Sequence, residues 1–109
     1  METTPDKWII VSFTNNGNRI CKVFATWAGG YLDGDSWKLN SGIKSVTEDD
    51  DYFYFSGYSG STYKCHKKGY GVATSYSQSI IDKFQEVANK NGSNLIIFDE
   101  NNWKEHIDK

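Results

Sequence analysis

Short apolar runs that read as strands recur along the chain, and one stretch has the apolar period of a helix. In residues 8–13, WIIVSF, strand geometry puts Ile9, Val11 and Phe13 on one face and Trp8, Ile10 and Ser12 on the other. Residues 19–27, RICKVFATW, repeat the pattern: Cys21, Val23 and Ala25 face one way, Ile20, Lys22 and Phe24 the other. A strand with apolar groups on both faces predicts a central position in a sheet. Between the two runs lies Asn15-Asn16-Gly17-Asn18. Asn-Gly readily takes the left-handed backbone of a tight hairpin turn, so an N-terminal hairpin is predicted.

A second hairpin is predicted over residues 51–67. Phe53 and Phe55 share one face and suit a core. Tyr52 and Tyr54 share the other and suit a half-wet face, where each phenol keeps its polar tip in water. Gly60 supplies the turn, and residues 62–67 return with Tyr63 and Cys65 on one face and Lys64 and His66 on the other. Residues 43–47 read as a preceding strand, which makes a three-stranded meander. The four carboxylates Glu48, Asp49, Asp50 and Asp51 form the turn before Tyr52, where water relieves their repulsion.

Ile80, Ile81, Phe84, Val87 and Ala88 recur at helical spacing and predict one helix over residues 77–91. Ser77 and Ser79 are its candidate caps, and Asn91-Gly92 its left-handed stop. Residues 94–98, NLIIF, are apolar on both faces and read as a buried last strand. Trp103 and Ile107 lie four apart, so one helical turn tucks both against the sheet. Trp37-Lys38-Leu39 begins a further strand that Asn40-Ser41-Gly42 interrupts, and residues 1–6 read as a loose leader. The predicted fold is α+β: a single domain over 1–109, with an antiparallel sheet of about five or six strands and one helix packed on one face.

A chain of 109 residues is long enough to bury a core without staples. The formal charge of −2 provides no global field for nucleic acid. Cys21 and Cys65 are far apart in sequence and form no CxxC, which favours free thiols in a reducing compartment over a Cys21–Cys65 disulfide. No run approaches the length of a membrane span, and the N-terminus lacks the pattern of a secretory signal.

Catalytic chemistry finds no motif. His66 and His106 have no second ligand at metal spacing. Cys65 and His66 are adjacent, so in a strand they face apart and make a poor nucleophile–base pair. Asp33-Gly34-Asp35 opens like a calcium loop but lacks the remaining alternating ligands, and reads as a turn. Gly69-Tyr70-Gly71 has neither phosphate-loop nor dinucleotide spacing and reads as a bend that brings Tyr70 close to the backbone. The chain therefore reads as a binding protein and not an enzyme, with no metal and no cofactor.

Two binding surfaces are candidates. Tyr52, Tyr54 and Trp8 form an aromatic face suited to a protein partner. Lys64, His66, Lys67, Lys68 and Tyr70 form a basic, aromatic cluster suited to a nucleotide or other anion. The acidic turn at 48–51 repels phosphate and argues against a long nucleic-acid track. Self-association through the same rings is a third alternative.

The segment WKLNSGIKSVTEDDDYFYFSGYSGSTYKCHKKGYG, residues 37–71, resembles the small aromatic-rich β-meanders of accessory proteins from tailed bacteriophages. The resemblance covers about a third of the chain and extends to its length and its Asn-, Lys- and Tyr-rich polar composition. It implies a host-takeover or anti-defence role in the cytoplasm of a bacterial host cell: docking to and inhibiting a host or defence protein, or sequestering a nucleotide signal. It carries no motif from which individual functional residues transfer.

Overall fold

A computed structural model describes residues 2–29 and 34–107. In chain order the elements are β1 (Glu2–Thr3), β2 (Lys7–Asn15), β3 (Asn18–Trp27), β4 (Ser36–Leu39), β5 (Ile43–Glu48), β6 (Tyr52–Gly57), β7 (Thr62–His66), α1 (Ser75–Lys90), β8 (Asn94–Ile97) and α2 (Lys104–Ile107). The Asn16-Gly17 turn joins β2 to β3 with φ of 54° and 82°, the left-handed pair that matches strand twist. Pairing then runs without a slip from Asn15↔Asn18 to Lys7↔Thr26.

The strands form two sheets of four, where the sequence pattern predicts one sheet of five or six. The inner sheet has the order β4-β3-β2-β8 and the outer sheet β1-β7-β6-β5. The pairings are antiparallel apart from β1 with β7. The division falls at Asn40. Its backbone N–H donates to the Val23 carbonyl, and its side-chain Oδ1 accepts from the Val23 N–H at 2.9 Å. This ends β4 inside the inner sheet, and Ser41-Gly42 then carries the chain across to the outer one. Alternation along a strand reports which side chains share a face, not which strand lies alongside, so the crossing is silent in the pattern.

The inner sheet is covered on both faces. Trp8, Ile10, Val23 and Ala25 meet Phe53, Phe55, Tyr63 and Cys65 of the outer sheet, and Phe98 and Trp103 close that cluster. On the opposite face Ile9, Val11, Phe24 and Leu95 meet Ile81 and Ala88 of α1, flanked by Ile80 and Phe84. The layers are therefore outer sheet, inner sheet, helix. The predicted central character of β3 and the alternation in β6 and β7 both hold.

Several expectations are corrected. Trp8, placed on an open aromatic face by sequence, is 1% exposed, because the second sheet covers the side of β2 that a single sheet would leave bare. Residues 2–6 of the expected loose leader are tied down. Glu2 and Thr3 pair with Thr62 and Tyr63, the Asp6 N–H donates to the Thr26 carbonyl, and Trp27 Nε1 donates to the Thr4 carbonyl. The last strand is only partly buried: Leu95 and Phe98 are inside, and their neighbours are not. β8 lies at the edge of the inner sheet, and Ile96 and Ile97 are 39% and 37% exposed.

The helix begins one turn earlier than its serines suggest. Thr74 is the cap, its hydroxyl accepting from the Ser77 N–H at 3.2 Å. The stop is as predicted: Gly92 takes φ 74°, and the Ser93 N–H donates to the Ala88 carbonyl. Trp103 is buried and Ile107 packs against the same cluster. Cys21 and Cys65 are free thiols, half-buried and buried respectively. Among the described residues no helix is long and apolar enough to cross a membrane. The Asp33 end of the glycine-rich turn lies outside the described residues.

Candidate functional site

Strand pairing assembles a polar–aromatic array on the outward face of the outer sheet. The β6–β7 register sets Tyr52 opposite His66 and Tyr54 opposite Lys64. Opposed side chains on one face are in contact range. Lys64 Nζ stands 4.4 Å from the Tyr52 ring centre and 6.0 Å from that of Tyr54. The His66 ring meets Tyr52 edge to face at 5.1 Å, and the two tyrosine rings are 6.3 Å apart. An ammonium over phenol faces is attracted by the ring quadrupole. Among the described residues Lys64 forms no ion pair.

The acidic turn is exposed, as its sequence reading has it, and one of its carboxylates is also bonded into this face. The Tyr54 hydroxyl donates to Asp49 Oδ2 at 2.7 Å. Asp49 Oδ1 accepts the backbone N–H groups of Asp51 and Tyr52 at 2.9 and 2.7 Å. The Tyr54 hydrogen bond, then these two backbone donors, hold the Asp49 carboxyl below its ordinary range. The same bond pushes the Tyr54 phenol up to about 12. Asp49 stands three residues before β6 and folds its side chain back on the backbone of its own turn.

The predicted anion cluster is divided: Lys67 and Tyr70 border one cleft beside Trp103 and Lys104, which Lys64, His66 and Lys68 do not line. Lys64 and His66 share the outward face, while Lys67 lies across the Phe53 ring at 5.1 Å. Its ammonium pairs with Glu48 at 2.7 Å, and Lys104 reaches the same carboxylate at 3.6 Å. The Lys67 hydrogen bond is the main reason the Glu48 carboxyl is held below its usual range. Lys68 is exposed, and its N–H donates to His66 Nδ1 at 3.0 Å.

Tyr70 is structural. Its hydroxyl accepts from the Ile10 N–H at 3.0 Å and donates to the Phe98 carbonyl at 2.6 Å. Its ring lies 4.9 Å from Trp8. The physical reason for the split is the turn after His66. The Gly69 N–H donates back to the His66 carbonyl, and the Gly69 carbonyl accepts from the Trp8 N–H, so the chain leaves the face before Tyr70. A side chain at Gly69 would come within 3.3 Å of the Asp6 and His66 carbonyl oxygens, a tight fit for any residue but glycine.

Nucleophilic chemistry finds no support in the two thiols. Burial pushes both Cys65 and Cys21 up from the ordinary thiol value, which favours the protonated form. Among the described residues no group of three or more His, Cys, Asp or Glu side chains is placed to hold a metal ion. No family model matches the chain, and no curated protein or solved structure matches it.

Proposed function

We propose that this chain is a non-enzymatic binding protein that docks a protein partner through the outward face of the outer sheet, with Tyr52, Tyr54 and Lys64 at the centre. The observation that supports this reading is the arrangement of Lys64. Its ammonium is positioned by two tyrosine rings and has no carboxylate within ion-pair distance among the described residues, although its charge acts on Asp49 across the face. Tyrosines supply large contact area at low entropic cost and are enriched among the residues that dominate binding energy. An unpaired ammonium between them fits a partner surface that presents a carboxylate ringed by apolar groups. The resemblance to phage accessory proteins makes a bacterial host or defence protein the partner class, and inhibition the consequence of docking. The nucleotide alternative keeps Lys64 and His66 on this face, while Lys67 and Tyr70 border a different cleft.

The test compares tagged wild type with a Tyr52→Ala, Tyr54→Ala double variant and with Lys64→Glu in capture from bacterial lysate. Circular dichroism establishes that each variant is folded. Each tyrosine at a docking centre is worth roughly 2 kcal/mol or more, about thirtyfold in affinity. A stoichiometric protein retained by wild type and lost by both variants is the expected result. A folded double variant that retains the partner, or a wild type that retains a nucleotide and no protein, overturns the reading.

A further inference from the structure

A second surface lies away from the tyrosine face, where β3 and β5 approach at the open end of the two sheets. There Arg19, Lys44 and His106, carried by three separate elements, line a cleft of about 390 Å³ together with Ile20, Ile43 and Tyr58. We propose that this cleft binds a small organic anion, a carboxylate carried on a short apolar body.

The volume lies within the range of about 300–1,000 Å³ typical of small-molecule sites. Among the described residues no aspartate or glutamate lines the cleft, and neither Arg19 nor Lys44 is in an ion pair. Arg19 Nη2 donates to the His106 carbonyl at 2.8 Å. That bond uses one guanidinium donor, ties the group to the cleft, and leaves the rest of its fork for a two-oxygen acceptor. The His106 ring is itself held, stacked on Phe98 at 4.3 Å with the planes 4° apart.

The cleft surface is mostly polar, and Ile20, Ile43 and Tyr58 give it the one apolar side that a short hydrocarbon body would meet. Tyr58 and Ile20 are 65% and 37% exposed, and both border this cleft and a neighbouring one beside Phe13. A short hydrocarbon or aromatic body would cover them while its carboxylate meets Arg19 and Lys44. Free phosphate satisfies the same cations but leaves that side in water.

The experiment follows proton–nitrogen correlation spectra of the full chain titrated with hexanoate, with the neutral hexanamide, and with inorganic phosphate. Hexanoate is expected to shift the amides of Ile20, Cys21, Lys44 and Tyr58 saturably, and hexanamide to leave them in place. Arg19→Gln and Lys44→Gln should each weaken hexanoate by about tenfold, the scale of one charge-assisted contact. Lys44 is exposed and makes no side-chain hydrogen bond among the described residues, so its variant reports binding even if Arg19→Gln disturbs the His106 segment. The proposal is overturned if hexanamide binds as well as hexanoate, if Lys44→Gln binds unchanged, if phosphate binds as tightly as hexanoate, or if no saturable shift appears at these amides.

Discussion

At the scale of single residues, Asp49 and Tyr54 show how one hydrogen bond sets two titrations in opposite directions. A phenol that donates to a carboxylate is held protonated, so Tyr54 is raised to about 12 from an ordinary 10.0. Its contribution to stability is complete below the ordinary phenol value and is lost as pH rises through about 12. Asp49 is depressed, so its contribution is present above the ordinary carboxylate range and is lost as pH falls through its lowered value. Replacing Asp49 by Asn removes the charged acceptor and should bring the Tyr54 midpoint down from about 12 toward 10.0. Carbon-labelled tyrosine NMR resolves Tyr54 from Tyr70, which also stands near 12. An unchanged Tyr54 midpoint would show that the bond does not set it. The residue scale was the least legible in the sequence. Four adjacent carboxylates look alike, and what singles out Asp49 is the backbone of the turn it folds onto.

Among the elements, the β2–β8 ladder contains a foreign group. Val11↔Ile97 and Thr14↔Asn94 pair as neighbouring strands do, and the Phe98 N–H donates to the Ile10 carbonyl. The reciprocal bond, from the Ile10 N–H to the Phe98 carbonyl, is replaced by the Tyr70 hydroxyl, which accepts from the first and donates to the second. Tyr70→Phe leaves both backbone groups without this partner in a half-buried position. It should lower unfolding free energy by roughly 1–3 kcal/mol, read from urea denaturation. A variant as stable as wild type would mean that the strands close up and make the missing bond directly. Strand and helix identities were legible because they rest on local periodicity and on turn residues such as Asn16-Gly17. The edge position of β8 was not. NLIIF has the same apolar run whether one neighbour or two lies alongside.

For the whole molecule, the sequence conveys an α+β composition but not the stacking of two sheets and a helix. The meander at 43–67 and the hairpin at 8–27 each read correctly as local units. Their face-to-face packing depends on contacts between residues some forty-five positions apart, such as Trp8 with Phe53 at 5.8 Å. Trp103 closes that interface from the C-terminal segment, within 4.8 Å of Phe53, 5.4 Å of Phe55 and 5.6 Å of Trp8. It is 2% exposed. Trp103→Ala should cost roughly 3–5 kcal/mol, a large fraction of the stability of a chain this size. The shift appears in the urea midpoint, and a change under about 1 kcal/mol would place Trp103 at the margin of the core instead of within it.

The β2–β3 hairpin is buried without a gap from Trp8 to Ser12 and from Val23 to Thr26, because one set of its side chains belongs to the sheet interface and the other to the helix interface. A wall shared by two rooms has no side left to redecorate. Change tolerated by the fold is therefore concentrated elsewhere: on the polar side of α1, on β5, and on the outward face that carries Tyr52, Tyr54 and Lys64. A lineage can remodel those surfaces while the hairpin stays as it is, so surface and core are free to drift apart in sequence.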